Sequence, residues 1–430
     1  PGHFGMWVAF DSGVGLVTET SFTRWPDTPL SSPIEVLSVA RNGAWLYVGT
    51  YNGIYGFNKS RRVTRKLWPV DGTAVDSRIT SLHVHNNRLF AGTFSGLVTE
   101  FSFDKPGLIE EVRAHSLPSG IPAMLSHQGY LFVGTEKHGL WYFDNSSFRS
   151  MDMPDGWGLE KTPVTSIIGA PLNEHILYTT EKELGLVCFT ATPSVRATQS
   201  LPKKLSSSVL LSTAIDSEER IFIGTLNSGL LQSSMPDLLA GRHLRVSANP
   251  SVPTFPIFTL HVISDESLWL GTDQGVQILS MESDTSRKLS AINGLVSTDI
   301  NHGASLFSDT REIVFGGRQG LTIIDTESPS LMPIRPRVHL KSISLDRVTS
   351  VRLPVSDPVR EIILSANNFG LEVKFALNDY RETKAHSFSH VLSGWETDAR
   401  KVVGVGHATY GRLPPGSYTF RARGANALGV

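Results

Sequence analysis

Short runs of alternating apolar and small residues, broken by glycine and polar turns, recur along most of the chain. Leu46 and Val48, or Leu131 and Val133, show the two-residue period of a half-buried strand. Most of these runs end in a Gly-Thr step, then two or three polar residues, a second glycine and another apolar run. The unit reads WLYVGTYNGIYGF from Trp45, RLFAGTFSGLVTEF from Arg88, YLFVGTEKHGLWYF from Tyr130 and ILYTTEKELGLVCF from Ile176. It continues as RIFIGTLNSGLLQ from Arg220, SLWLGTDQGVQIL from Ser267 and EIVFGGRQGLTII from Glu312, and a diverged copy, MWVAFDSGVGLVTE, opens at Met6. The step falls at residues 49, 92, 134, 179, 224, 271 and 316, a period of 42 to 47 residues.

Each copy predicts a β-hairpin, its second glycine supplying the positive φ of a tight turn. An apolar stretch precedes each copy, as at Ile79 to Val84, and a more polar one follows, as at Ile109 to Arg113. Four strands per repeat of this length is the accounting of a β-propeller blade. A helical solenoid would need a 3.6-residue period, which is absent. Eight copies predict seven or eight blades, since the first copy has no room for an innermost strand.

From about Pro333 the repeat stops. Short alternating strands are expected at Val338–Ser344, Glu361–Leu364, Leu371–Ala376, Ser387–Leu392 and Ser417–Arg423. Their spacing predicts a small immunoglobulin-like β-sandwich over 333–430, following a propeller over 1–332. The fold class is therefore all-β.

Charge changes the picture only by exclusion. The 430 residues hold 39 Lys+Arg and 40 Asp+Glu, which argues against a nucleic-acid binder. The segment 333–430 carries 14 basic and 8 acidic residues, a surplus of 6 that leaves the preceding part at −7. An ordinary solvated surface explains this better than a membrane-binding patch. Cys188 is the single cysteine, so no internal disulfide and no cysteine-based zinc site can form. No apolar run reaches the ~18–20 residues that would span a bilayer, and no signal peptide opens the chain. The start at Pro1 and the stop at Leu428, Gly429 and Val430 predict a piece of a longer protein, with targeting or membrane segments outside it.

The LWLGTDQGV type of repeat resembles the regulator propeller repeat of bacterial two-component sensors. The segment FSHVLSGW at Phe388–Trp395, followed by ATYGRLPPGSYTFRARGAN at Ala408–Asn426, is similar to the Y-Y-Y domain that follows those propellers. Tyr410 and Tyr418 match that pattern, whereas Phe388 and His390 stand where tyrosines are usual. The resemblance implies a periplasmic sensor region, part of an inner-membrane protein. A membrane helix would follow it, then a histidine kinase, sometimes in a hybrid protein, or a diguanylate cyclase. It also implies a homodimer and, by analogy with relatives in gut bacteria, an oligosaccharide ligand. Relatives often carry two propellers in tandem, so an upstream propeller is a further expectation.

Catalytic signatures are missing: there is no G-x-S-x-G elbow, H-E-x-x-H, P-loop or Rossmann fingerprint. His83 and His85 share a strand, but without a third ligand nearby they read as satisfied structural residues. Cys188 reads as a small buried hydrophobe. No enzyme, cofactor or metal is expected in this segment.

A binding surface is argued more concretely. With the pattern strands second and third in each blade, their turns and the linkers between blades share one face. Aromatic rings among amides and charges there suit a sugar, which stacks its C–H face and bonds its hydroxyls. The candidates are Trp68, Arg78, His138, Trp157, Lys161, Asp273 and Arg318, set among turns such as Tyr51-Asn52 and Phe94-Ser95 and linker residues such as Asp76. Trp68 and Trp157 could equally plug gaps between blades. Trp45, Trp141 and Trp269 lie within repeat strands and read as packing. Two other function classes are weighed: a protein-interaction propeller without a small ligand, and a polysaccharide lyase or hydrolase. The latter would need acids or histidines converging on the central channel.

Overall fold

Glycine at the repeat's Gly-Thr step lets neighbouring sheets touch. A Cβ on Gly224 would lie 2.7 Å from the Ile257 side chain, and one on Gly316 would lie 2.5 Å from Val36. Ile257 and Val36 each begin the inner strand of the next sheet, so the glycine sets the spacing between sheets. The threonine closes the turn. Thr50, Thr135, Thr225 and Thr272 each donate through Oγ1 to the carbonyl of the turn glycine at 2.8–2.9 Å. The same oxygen accepts a backbone N–H within the turn, as from Asn52 at 3.0 Å. The recurring dipeptide thus encodes a close approach and a turn together.

These features were located in a computed structural model. It describes residues 5–10, 13–18, 22–26, 34–70, 76–151, 162–170, 175–189, 193–200, 207–246, 256–264, 267–282, 286–307, 311–327, 336–345, 349–352, 361, 363, 370–379 and 383–426. Among the described residues nearly all regular structure is β-strand, and the chain divides into two compact units. One is Thr20–Ser328; the other comprises Pro1–Glu19 and Pro329–Val430.

The first unit contains seven four-stranded antiparallel sheets among the described residues, and their arrangement is propeller-like. Their inner strands are, in order, Val36–Asn42, Ile79–His85, Ala123–His127, Val164–Gly169, Leu210–Ile215, Ile257–Ser264 and Ile300–Phe307. Each inner strand packs on the next, and the seventh packs on the first, so the sheets form a closed ring. The repeat's two strands are second and third in each sheet. Sandwiched between neighbours, the second strand of sheet one, Trp45–Thr50, is buried throughout, whereas its outer strand, Val63–Trp68, is mostly exposed.

Polar side chains tie the inner strands together. Ser38 donates to the Ile79 carbonyl at 3.1 Å, Ser81 to Ile121 at 2.9 Å, Thr165 to Leu210 at 3.1 Å and Ser212 to Ile257 at 3.1 Å. Asn301 makes the equivalent closing bond from sheet seven to the Val36 carbonyl at 2.8 Å. Sheet seven also takes its outer strand, Phe22–Trp25, from before sheet one. Its inner strand bulges: Ile300 faces Gly317 but Ser305 faces Phe315. The bulge carries His302 across the ring, where Nε2 donates to the Leu211 carbonyl of sheet five at 2.8 Å.

In the second unit, Gly5–Phe10 and Gly13–Thr18 form a two-stranded antiparallel sheet from the Met6 copy of the repeat. The C-terminal part has a four-stranded sheet ordered Thr349–Arg352, Val338–Leu345, Leu371–Leu377, Gly406–Tyr410. It also has a three-stranded sheet ordered Arg400–Val403, Ser387–Ser393, Thr419–Ala425. Both contribute to one core containing Phe375, Leu377, Phe388, Leu392 and Tyr410. His390 is buried and lies 3.3 Å through Nδ1 from the Tyr410 hydroxyl. Glu361 and Ile363, expected within a strand, lie outside any strand.

Candidate functional site

The turns joining second and third strands gather at one end of the ring, and two of them expose large aromatics. Tyr51 is 49% and Phe94 50% exposed. Half-exposed rings at adjacent turns offer apolar surface that a ligand can cover. Arg78 lies between them in the linker from sheet one to sheet two. Its guanidinium sits 4.7 Å over the Phe94 ring.

Asp76 builds this cluster. Its carboxylate is buried and accepts from the Arg78 N–H at 3.0 Å, Arg78 Nε at 2.9 Å and the Ser95 N–H at 2.9 Å. Linker and turn are thereby joined, with Ser77 Oγ donating to the Tyr51 carbonyl at 3.1 Å and the Phe94 N–H to the Arg78 carbonyl at 3.2 Å. Burial alone would raise the Asp76 pKa, but the hydrogen bonds from Arg78 and Ser95 outweigh it and bring it down to about 2. The arginine is thus held charged and oriented at all ordinary pH values.

Removing the organiser has a defined consequence. Asp76→Ala leaves the Ser95 N–H and the Arg78 guanidinium without their acceptor, an expected loss of about 1–3 kcal/mol. Urea unfolding midpoints would measure it; a variant as stable as the parent would show that the carboxylate organises nothing.

The surface continues onto sheet three. The Glu136 N–H donates to the Gly120 carbonyl at 3.0 Å, and a Cβ on Gly120 would meet the Phe94 carbonyl at 2.6 Å. Ser119 Oγ accepts from the Lys137 N–H at 3.1 Å and lies 3.2 Å from His138 Nδ1. Arg78 and His138 therefore belong to neighbouring parts of one face, with exposed aromatic, cationic and hydrogen-bonding groups.

The other sequence candidates fall elsewhere. Trp68 is half-buried at the end of the outer strand of sheet one, edge-on to Phe101 at 5.8 Å and donating Nε1–H to Glu111 at 2.9 Å. Its neighbours place it in the gap between sheets one and two. Asp273 sits exposed on the turn of sheet six. Arg318, on the turn of sheet seven, pairs with Asp299 at 2.9 Å. Both are on other sheets from the Tyr51–Arg78–Phe94 cluster. Trp157 and Lys161 lie outside the described residues. Trp45 and Trp269 are buried, and Trp141 is half-buried.

The paired histidines are engaged across sheets. His83 Nε2 accepts the Ser126 N–H at 2.8 Å, and His85 lies 2.8 Å through Nδ1 from the Ser126 hydroxyl. Among the described residues, no group of three or more His, Cys, Asp or Glu side chains could hold a metal. Nor is any described helix long and apolar enough to cross a membrane.

No family model matches the chain. A curated relative, Histidine kinase P4 of Formosa agariphila, is 24% identical over 171 residues, covering 37% of this chain and 12% of that protein. Among solved structures, the extracellular domain of the hybrid two component system BT4673 from B. thetaiotaomicron aligns with a TM-score of 0.53 and 15% identity. That alignment covers 99% of this chain and 60% of that one. The extracellular domain of a second such system, BT3049 from the same organism, gives a TM-score of 0.41 at 16% identity, over 98% of this chain and 69% of the other. The chain thus spans only part of the relatives it matches first.

Proposed function

We propose that this chain is the extracytoplasmic ligand-sensing region of a membrane-bound bacterial signal-transduction protein of the two-component histidine kinase type. In this reading, residues 20–328 form a seven-bladed β-propeller and the C-terminal sheets form an immunoglobulin-like Y-Y-Y sandwich. The ring presents the ligand, and the sandwich passes the signal through a dimer towards a membrane helix. The fragment itself performs no catalysis.

The observation that carries the reading is the alignment of nearly the whole chain with the extracellular domain of a hybrid two-component system. The weaker sequence match to a histidine kinase points the same way. A ligand shifts such a receptor only through its differential affinity for two states. The Tyr51–Arg78–Phe94 surface suits an oligosaccharide, with rings to stack on sugar faces and a fixed arginine to bond hydroxyls.

A thermal-shift screen against oligosaccharides of varied charge and linkage tests this. Binding at a hundredfold excess over Kd stabilises by about 2.7 kcal/mol, expected as a rise of several degrees in Tm. Tyr51→Ala with Phe94→Ala should remove the shift. A flat screen on folded protein would count against direct sugar sensing.

A second reading, a protein-interaction surface, draws on Leu226, 41% exposed on the turn of sheet five, together with the two aromatics. It predicts that the same double variant loses a polypeptide partner while no sugar raises Tm.

A further inference from the structure

We infer that the outer strand of sheet one and the groove between sheets seven and one form a binding site for an anionic glycan chain, sulfated or uronate-bearing. The inference shares the glycan-sensor reading but uses a different surface from the turn face.

It starts from the run Lys59-Ser60-Arg61-Arg62-Val63-Thr64-Arg65-Lys66, which has five cations and no acid within a propeller portion carrying a net −7. Every residue of the run except Val63 is exposed. A basic run of this density is a signature of polyanion binding when its charges stay unpaired.

The fold distributes the charges by the pleat of the edge strand. Val63 and Leu67 turn towards sheet two, where they join the core around Ile79 and Phe101. Thr64 turns the other way and accepts from Trp25 Nε1 at 3.0 Å, against sheet seven. Two-residue alternation therefore puts Lys66 on the sheet-seven side with Thr64.

On that side is a groove of about 620 Å³ whose lining includes Phe22, Arg24, Lys59, Arg62 and Gly294. This volume is that of a small-ligand site. Glu312, the partner of Lys59 at 2.8 Å, is also held by Arg41 at 2.7 Å. Among the described residues no carboxylate pairs with Arg24, Arg62 or Lys66. The groove thus keeps a surplus of positive charge beside an aromatic ring.

Groove shape selects the occupant. A lipid surface or a nucleic-acid duplex would touch only the exposed cations of the edge strand and leave the groove beside them empty. Here Arg24, Lys59 and Arg62 line a groove beside the half-buried Phe22, which fits a single chain of sugar rings bearing acidic groups.

The test uses this chain with a sulfated hexasaccharide, a uronate hexasaccharide and a neutral hexasaccharide, measured by calorimetry. One or both acidic probes should bind, weakening at least about tenfold between ~50 and ~300 mM salt, while the neutral probe does not. Arg62→Asn with Lys66→Ser should cost at least tenfold in affinity; asparagine tolerates the φ of +50° at position 62. Adding Arg24→Gln should weaken binding further. Arg242→Ser with Arg245→Ser, equal in charge but on sheet five, should leave it unchanged. Equal unfolding midpoints check that each variant folds. The inference is overturned if neither acidic probe binds, if both charge variants weaken binding alike, or if a DNA duplex binds as tightly as the glycans. Loss of binding in Tyr51→Ala alone would move the site to the turn face and overturn the groove assignment while leaving the sensor reading intact.

Discussion

Trp25→Ala is expected to open the ring at its seam and to cost about 3–5 kcal/mol, the range for truncating a fully buried large aromatic. Trp25 is 0% exposed and sits in one core with Val36, Val48 and Phe57 of sheet one and Val314, Leu321 and Ile323 of sheet seven. Its ring lies edge-on to Tyr55 at 5.8 Å, and its Nε1–H reaches Thr64. One side chain therefore connects the first and last sheets, from a strand that pairs Phe22 with Ile324 through Trp25 with Leu321. Against a global stability of about 5–15 kcal/mol, the loss is large.

Its distribution separates a seam from an ordinary core position. Trp269→Ala removes a similarly buried indole, stacked at 6.5 Å on Phe315, from sheet six, whose strands are contiguous in sequence. Both variants should lower the urea midpoint. Only Trp25→Ala should strip hydrogen-exchange protection selectively from Gly320–Asp325, the strand left at an open edge, while sheets three to five keep theirs. A cost below about 1 kcal/mol, or equal loss of protection in all sheets, would refute the seam.

The contrast between hairpins and closure explains how much of the molecule could be seen in the sequence. Gly-Thr steps mark second and third strands because they answer to demands that recur from sheet to sheet: a turn hydroxyl at Thr50 and close approach to the next sheet at Gly224. Ring membership is not local. The Met6 copy has the hairpin pattern, yet its two strands form a sheet of their own and Phe22–Trp25, four residues without any repeat signature, completes sheet seven. At the site, Tyr51 and Phe94 were legible as turn positions. The role of Asp76 was not, since an isolated acid in a linker does not reveal that a turn 19 residues later folds back onto it. Trp68 was open to two readings, ligand contact or plug between sheets, and only the structure shows its neighbours Phe101 and Glu111. The groove at sheet one also escaped the sequence, because Arg24 and Arg62 meet only once the ring closes.

Acidification from pH 7 to pH 4 is expected to destabilise the ring well before its carboxylates titrate, with sheets two, three, six and seven as the origin. His83 Nε2 can accept the Ser126 N–H only while unprotonated. Burial, with the nearby His85 adding to it, holds its pKa down to about 4; burial does the same for His261, whose Nε2 lies 2.7 Å from the Ser305 hydroxyl. In the unfolded chain both titrate near ~6.5. The unfolded state therefore binds the extra protons first as pH falls. Stability from these histidines is complete above about 6.5, declines between 6.5 and 4, and is gone below 4. Each is worth up to about 3 kcal/mol across that window. Urea midpoints at four pH values between 7.5 and 4 should trace the decline. His83→Gln with His261→Gln, which keeps a hydrogen-bonding amide but no titrating ring, should make it shallower; burial also holds down His85, His115 and His302, which account for the slope that remains. A parent curve already flat across this window, or one unchanged in the double variant, would show that the protons enter the fold elsewhere.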